Sequence, residues 1–283
     1  MKLAYSTLGC PGWSVEQAAQ AVKDYGYDGI EWRLADGEVI TPKTAPEVKA
    51  RLLAATQNEG LKVACLDTSC TFVKATDEER KQTVEEAKAM IDLAAELGTP
   101  YIRVFGGKIP ENCTREEILE PSGKALGEAA RYGQTKGVTV LLETHDDWAA
   151  SPDNLALIHA AGSEAPVQVL WDVHHPYRMG ETAVETINNL LNGGVIAHVH
   201  IKDALRDPSE PLGWHLTLLE EGEVPVKEIV GLLHEAGYDG YLSLEWEKKW
   251  HPDIEEPEEA LPEYATLLRQ YIKEAEEAGE IAG

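Results

Sequence analysis

The sequence predicts an α/β protein, a single (β/α)8 TIM barrel over residues 1–283, from three observations. The length of 283 residues is about the size of one such barrel. Short apolar runs alternate strictly with segments of helical spacing, eight of each. No change in composition marks a linker, and no G-x-G-x-x-G follows a predicted strand, which disfavours an open dinucleotide-binding sheet.

The eight predicted strands are short and apolar, and most of them are bounded by Gly, Pro or polar turn residues. They are Lys2–Leu8, Ile30–Leu34, Leu61–Leu66, Tyr101–Phe105, Val138–Glu143, Val167–Asp172, Val195–Ile201 and Tyr241–Leu244.

Start signals locate several of the helices between these strands. Ser14, Thr76 and Thr114 are each followed three residues later by Gln or Glu, which predicts capping boxes. Prolines at positions 46 and 152 predict two further starts. The predicted helices run from Ser14 to Tyr25, from Pro46 to Glu59, from Thr76 to Leu97, from Thr114 to Lys136, from Ser151 onward, from Glu181 to Leu191, from Val226 to Ala236 and from Glu258 to Ala278.

One connection stands out by its length. The segment from Arg206 to Pro225 is rich in Gly, Pro and charge and is longer than a simple βα connection. Long loops of this kind often carry function, so we expect an active-site loop here.

Composition limits the partners. Fifty acidic residues against 25 basic ones give a formal charge of -25, which opposes binding to a nucleic-acid backbone. A small anionic substrate stays open, because two or three local Arg or Lys side chains can bind it. No apolar run approaches the roughly 18 residues that span a bilayer, and the N-terminus lacks a signal-peptide core. We therefore expect no membrane partner and a cytoplasmic protein, and the sequence leaves a homo-oligomer open.

Four strand ends carry polar groups with metal-ligand chemistry. They are Glu143, Asp172, His200 and Glu245, on the predicted strands five to eight. In a barrel of this kind the carboxyl ends of the strands converge on one face. Three carboxylates and one imidazole suit Mn2+, Mg2+, Co2+ or Zn2+. Each group alone could be a polar residue facing solvent, but four on consecutive strands favour one metal site.

These residues carry a resemblance that covers essentially the whole chain. Glu143 in LLETH, Asp172 in WDVHH, His200 in HVHIKD and Glu245 in LSLEW resemble the metal-binding quartet of the xylose isomerase-like TIM barrels. That group includes sugar phosphate isomerases/epimerases and ketose 3-epimerases.

The resemblance implies a divalent-metal-dependent sugar isomerase or epimerase with one metal ion, Mn2+ foremost. It implies that Glu143 and Glu245 act as an acid/base pair on opposite faces of a small sugar, through a metal-stabilised enediolate. His175 and Arg206 stand where the ketose 3-epimerases keep ligands to substrate oxygens.

Lys202 departs from the epimerase pattern and keeps a second class open. By period-two alternation it points to the same side as His200. It could contact substrate or serve as a general acid, which would suit a metal-dependent keto-sugar or inosose dehydratase. It could equally pair with Asp203 or another strand-end acid as structural support. A more remote alternative is a DNA repair enzyme like endonuclease IV, which the charge and the single quartet oppose.

Other residues near the strand ends are open to two interpretations. His145 shares the inward face of Glu143 and could bind substrate or support the site. His198 lies deeper than His200, which favours a buried hydrogen-bonded histidine over a second metal ligand. His174 is expected to face the helix layer. Glu31 and Arg33 end the second predicted strand and could reach the mouth, but an ordinary ion pair between them is the favoured interpretation.

Overall fold

The structure is a computed structural model that describes residues 1–58 and 60–282. Eight parallel strands close into a barrel in which each strand pairs with its neighbours in chain order. This confirms the predicted (β/α)8 TIM barrel. In chain order, the first to eighth barrel strands are Lys2–Ser6, Gly29–Trp32, Val63–Thr71, Tyr101–Phe105, Thr139–Glu143, Val167–Asp172, Ile196–Ile201 and Tyr241–Leu244.

The helices surround the barrel, and none of those described is long and apolar enough to cross a membrane. The predicted capping boxes at Ser14, Thr76 and Thr114 are all present. Residues 59 and 283 lie outside the described residues, so the predicted helix end at Glu59 is not described. The helices are Val15–Asp24, Pro46–Asn58, Asp77–Leu97, Arg115–Lys136, Ser151–Ala160, His174–Arg178, Ala183–Gly193, Val226–Glu235 and Pro257–Ala282.

A fourth capping box corrects one helix start. The Thr182 hydroxyl accepts a hydrogen bond from the Glu185 backbone N–H, so the helix begins at Ala183 instead of Glu181. Glu181 instead accepts hydrogen bonds from Ser151 at the start of another helix.

Because side chains alternate along the strands, the protein has two buried regions, one between the strands and the helices and one inside the barrel. Outward-facing side chains such as Tyr5, Trp32 and Trp171 pack with the helices in a continuous apolar core. Inward-facing Cys65, Leu141, Leu170 and Ala197 form a small apolar cluster inside the barrel. The inward positions that follow Leu141 and Leu170 along their strands are Glu143 and Asp172, so the interior changes from apolar to charged toward the carboxyl ends.

Two antiparallel hairpins interrupt the simple alternation at the mouth. Leu34–Ala35 pairs with Glu38–Val39 across the positive-φ residues Asp36 and Gly37, so the second barrel strand ends before Leu34. Asp203–Arg206 pairs with Trp214–Thr217, with Arg206 opposite Trp214. The predicted loop from Arg206 to Pro225 therefore contains one arm of a hairpin, because the alternating side chains of Trp214–Thr217 suit a half-buried strand.

The third barrel strand is longer than predicted and carries polar residues to the mouth. It extends to Thr71, with a shift in its register against the fourth strand between Asp67 and Thr71. The Thr68 hydroxyl donates to the Arg103 carbonyl in that region, so the strand stays attached past its apolar part.

Candidate active site

The four predicted metal ligands converge inside the barrel mouth. Glu143, Asp172, His200 and Glu245, called the quartet below, are at most 4% exposed. One ligand atom from each lies within 4.8 Å of the others. His200 Nδ1 is 3.4 Å from Glu245 Oε2, 3.7 Å from Glu143 Oε1 and 3.9 Å from Asp172 Oδ2.

This spacing fits a cation better than direct hydrogen bonding. Ligand atoms about 2.1 Å from a tetrahedral ion stand roughly 3.4 Å apart, close to the separations measured here. Glu143 Oε1 and His200 Nδ1 are buried and have no hydrogen-bond partner among the described residues. Because buried polar atoms are rarely left unpaired, a divalent ion would satisfy both. The donor set of three carboxylates and an imidazole is also one that such ions accept.

Two members of the quartet, Asp172 and Glu143, are oriented by a second contact. Asp172 Oδ1 accepts the backbone N–H groups of His174 at 2.9 Å and His175 at 3.3 Å. Glu143 Oε2 accepts a hydrogen bond from Arg103 at 2.6 Å. These contacts leave Asp172 Oδ2 and Glu143 Oε1 facing the centre of the quartet.

His200 is oriented from below. Its Nε2 lies 2.8 Å from Glu31 Oε1, which leaves Nδ1 toward the quartet. The expected ion pair between Glu31 and Arg33 is therefore wrong: barrel closure places Glu31 against His200 and His198, and Arg33 donates to Ser69 instead. Carboxylates that hold the far nitrogen of a ligand histidine are common beside metal sites.

His198 completes a hydrogen-bonded layer under the quartet. Its Nε2 is 2.5 Å from Glu31 Oε2, and both side chains are fully buried. Glu31, His198 and His200 are close enough to be considered as metal ligands. However, separations of 2.5 and 2.8 Å are hydrogen-bond distances and leave no room for an ion between the atoms. This agrees with the expected buried, hydrogen-bonded His198.

Arg103 is a central residue that the sequence did not single out. It is 2% exposed, and its NH1 lies 2.6 Å from Glu143 Oε2 and 3.6 Å from Glu245 Oε1. Its guanidinium stacks on the Phe105 ring at 4.0 Å from the centroid. Alternation in Tyr101–Phe105 would have placed Arg103 inside the barrel, and a buried cation there signals acidic partners.

Arg103 and Lys202 oppose the effect of burial on the quartet. Burial is the largest single influence and raises the pKa of Glu143, but Arg103 and His200 together outweigh it and lower that pKa to about 2. Burial likewise raises the pKa of Glu245, and Lys202 leads the groups that bring it well below its usual value. For Asp172 burial prevails and raises the pKa to about 6 despite Lys202.

Lys202 is fully buried among acidic groups. Its Nζ lies 2.5 Å from Glu245 Oε2, 2.6 Å from Glu247 Oε1 and 2.8 Å from Asp172 Oδ2. Pairing with strand-end acids is thus observed, although not with Asp203. Asp203 instead accepts backbone N–H groups from residues 204, 220, 222 and 224, and so fixes the return of the second hairpin.

Histidines line one wall of the mouth. His175 is 5% exposed, with Nε2 3.8 Å from Asp172 Oδ2. The His145 ring lies 4.6 Å from both Phe105 and His175 by centroid. The expectation that His174 faces the helix layer was wrong, because its ring packs against Trp214 of the second hairpin.

Arg206 lies outside the quartet. Its side chain is 69% exposed, its Nε is 3.3 Å from Glu223 Oε2, and its guanidinium stacks on Trp214. The hairpin carries Arg206 on its outer part, so the predicted contact with substrate stays a prediction.

The family assignment rests on a match over most of the chain. Residues 19–271 match the model of the xylose isomerase-like TIM barrel family, and the protein belongs to that family.

Two relatives are named as a fructoselysine epimerase and an inosose dehydratase. The chain is 22% identical over 254 residues to the fructoselysine 3-epimerase of Shigella flexneri, covering 87% of this chain and 90% of the epimerase. It is 25% identical over 195 residues to the inosose dehydratase of Clostridium perfringens, covering 64% of this chain and 61% of the dehydratase.

Two solved structures share the fold. An L-ribulose 3-epimerase superposes with a TM-score of 0.80 at 19% identity, over 100% of this chain and 98% of that one. The IOLI protein, whose structure holds a zinc atom, superposes with a TM-score of 0.73 at 18% identity, over 97% and 96% of the two chains. Relatives of this kind indicate an enzyme.

Proposed function

We propose that the protein is a divalent-metal-dependent isomerase or epimerase of a small sugar or keto-sugar. The observation that carries this proposal is the spacing of the quartet, which leaves ligand atoms 3.4 to 3.9 Å from His200 Nδ1. Mn2+ is the first choice for the ion, with Mg2+, Co2+ and Zn2+ as alternatives. A divalent ion held there would act as a Lewis acid on adjacent substrate oxygens and offset the negative charge of an enediolate.

Glu143 and Glu245 are the proposed acid/base pair. Both pKa values lie below their usual range despite the effect of burial, so both groups are carboxylates at neutral pH and can accept a carbon-bound proton. Arg103 contacts both and keeps the pair charged and oriented. One carboxylate removes the carbon-bound proton on one face; the other takes up a proton from water and returns it to carbon on the opposite face, which inverts the carbon centre, while the first carboxylate releases its proton to water.

His175, His145 and Arg206 are the proposed substrate contacts. Burial lowers the pKa of His175 well below its usual value, so it is a neutral ring that can hydrogen-bond a sugar hydroxyl. His145 lies beside it at the mouth. Arg206 would have to turn inward from the second hairpin to reach a bound sugar.

A metal-dependent dehydratase is the second candidate, and the buried Lys202 favours it. Its ammonium contacts Asp172 and Glu245. In that reaction a carboxylate removes the proton next to the carbonyl, the new carbon–carbon double bond forms, and the hydroxyl on the next carbon leaves as water with a proton from Lys202. The inosose dehydratase relative supports retaining this candidate.

The experiment is a metal-supplemented screen of ketoses, keto-inositols and 3-keto-glycosides in deuterated water, with chelator-treated protein as control. An isomerase yields an isomer of the substrate, whose mass differs only by the deuterium incorporated at carbon. A dehydratase yields a product lighter by one water. Metal-loaded protein that exchanges no carbon-bound proton in any of these compounds would contradict both candidates.

A further inference from the structure

Arg33 lies inside the barrel mouth on the side away from the quartet. It follows the second barrel strand directly, and alternation gives it the same inward face as Glu31. The side chain is 7% exposed. NH1 donates to Ser69 Oγ at 2.9 Å and more weakly to the Asp67 carbonyl at 3.4 Å. Ser69 is exposed, so this guanidinium lies at the edge of solvent.

The charge of Arg33 has no ion-pair partner among the described residues. Its hydrogen bonds go to a hydroxyl and a carbonyl, both through NH1. The nearby acids are engaged elsewhere: Glu31 by two histidines, and Asp67, whose Oδ2 is 3.7 Å from Arg103. A buried cation is rarely left without a counter-ion, because removing it from water is costly.

Arg33 lies where the end of a bound substrate remote from the quartet would reach. The quartet lies on or directly after strands five to eight, whereas Arg33 directly follows strand two and Arg103 lies on strand four. A substrate whose reacting carbons lie on the quartet would extend its other end toward strands two and three. Burial, and next the positive charge of Arg103, lower the pKa of Arg33 to about 10, which still leaves it charged at neutral pH.

We propose that Arg33 and Ser69 form an anion subsite, and that the substrate carries a carboxylate or phosphate at the end remote from its reacting carbons. This inference rests on the proposed function, since it names the class of sugar that the same site takes. The guanidinium offers Nε and NH2 for a two-point contact with such a group.

A structural role for Arg33 predicts a different outcome. Asp67, Glu245 and Glu143 each act on Arg33 at longer range, so it could serve as a general counter-charge for the acidic interior. In that case its removal would destabilise the anion-free protein. If Arg33 instead awaits a ligand, replacement by an uncharged side chain of similar length would leave that stability unchanged or raise it.

The test measures oxyanion binding to the metal-loaded protein by calorimetry and by thermal unfolding. Sulfate stands in for a phosphate group and acetate for a carboxylate, with chloride at equal ionic strength as the control. The variants are Arg33→Met and Arg33→Lys. Lys124→Met is the matched control, because Lys124 is 71% exposed and pairs with Glu120 on an outer helix.

We expect sulfate or acetate to bind and raise the Tm of the wild type and of Lys124→Met alike. Arg33→Met should bind the better anion at least about tenfold more weakly, with an anion-free Tm no lower than that of the wild type. The anion affinity of Arg33→Lys, which keeps the positive charge but lacks the two-point geometry of the guanidinium, should lie between those of the wild type and Arg33→Met. The stronger of the two anions identifies the chemistry of the substrate group.

Equal anion affinity in the wild type and both Arg33 variants would overturn the subsite, as would no anion binding to the wild type. If Arg33→Met does not fold, Arg33→Lys decides: an affinity unchanged from the wild type overturns the proposal. A Mn2+ titration of the same samples separates this result from the proposed function. If Mn2+ binds but the anion affinity is unchanged in the Arg33 variants, only the subsite proposal is contradicted. If the wild type does not bind Mn2+, the proposed function is contradicted.

Discussion

Two layers inside the barrel use the same residue types for different purposes. The upper layer is the quartet, and the lower layer is Glu31 with His198. In the upper layer the measured atoms lie 3.4 to 3.9 Å from His200 Nδ1, and Glu143 Oε1 and His200 Nδ1 have no hydrogen-bond partner in the described part of the chain. In the lower layer the separations are 2.5 and 2.8 Å. Spacing, more than composition, separates a ligand site from its support.

His200 belongs to both layers. Its Nε2 faces Glu31 and its Nδ1 faces the quartet. The lower layer therefore fixes the orientation of the His200 ring, and with it the direction in which Nδ1 faces the quartet. Variants in the two layers should accordingly differ in what they change, and the following predictions run from the largest expected effect to the smallest.

The largest effect is expected in the upper layer. Glu143→Gln or Glu245→Gln should lower kcat on an identified substrate by about 10²- to 10⁴-fold, because each removes a proton-transfer group. Steady-state kinetics measure this, with the exposed Glu120→Gln as a control that keeps wild-type turnover. Unchanged turnover in either variant would show that the acid/base assignment is wrong.

A smaller effect is expected when the support of His200 is removed. Glu31→Gln should weaken Mn2+ binding by about 10- to 100-fold without deleting a ligand. Calorimetry on metal-free protein measures the affinity, and circular dichroism checks that the fold persists. Wild-type affinity in a folded Glu31→Gln variant would mean that the lower layer does not control the upper one.

Metal affinity should also depend on pH. Although burial lowers it, Glu31 and Glu245 raise the pKa of His200 well above its usual value. Since the pKa of Asp172 is about 6, protons compete for two ligands below pH 6 and for one just above it. Affinity should therefore rise with pH, by about tenfold per unit for each displaced proton and more steeply below pH 6. An affinity constant between pH 5 and 7 would contradict this.

The smallest effect on metal binding is expected at His198. His198→Leu leaves Glu31 bound to His200, so Mn2+ affinity should fall by no more than about threefold, well below the Glu31 effect. Stability should fall by about 1–3 kcal/mol, because a buried carboxylate oxygen loses its partner. Urea unfolding and metal titration together measure the two effects. A loss of affinity equal to that of Glu31→Gln would contradict this expectation and show that His198 supports the metal site as strongly as Glu31 does.

The sequence predicted the residues of the upper layer and a buried, hydrogen-bonded His198, but it did not predict that Glu31 is the partner of His198. Strand ends such as Leu141-Leu142-Glu143 predict both the strand and its inward-facing acidic residue, because the whole pattern lies within a few residues. The contact between Glu31 and His198 joins residues 167 positions apart and exists only after the barrel closes. For the same reason the sequence suggested Arg33 as a partner for Glu31, two residues away, when the true partners come from the seventh strand.

The mouth was the least predictable region. The second hairpin depends on pairing between Asp203–Arg206 and Trp214–Thr217 and on the Asp203 carboxylate, which holds the returning chain. Neither contact is visible in a segment rich in Gly, Pro and charge. Arg103 could have been found, since alternation alone puts it inside the barrel.

The most direct test is a crystal of the protein grown with Mn2+ and measured for anomalous scattering. The quartet should enclose one anomalous peak, with Glu143, Asp172, His200 and Glu245 as ligands and Glu31 still hydrogen-bonded to His200 Nε2. A peak between Glu31 and His198, or no peak inside the barrel, would contradict the assignment of the upper layer as the metal site.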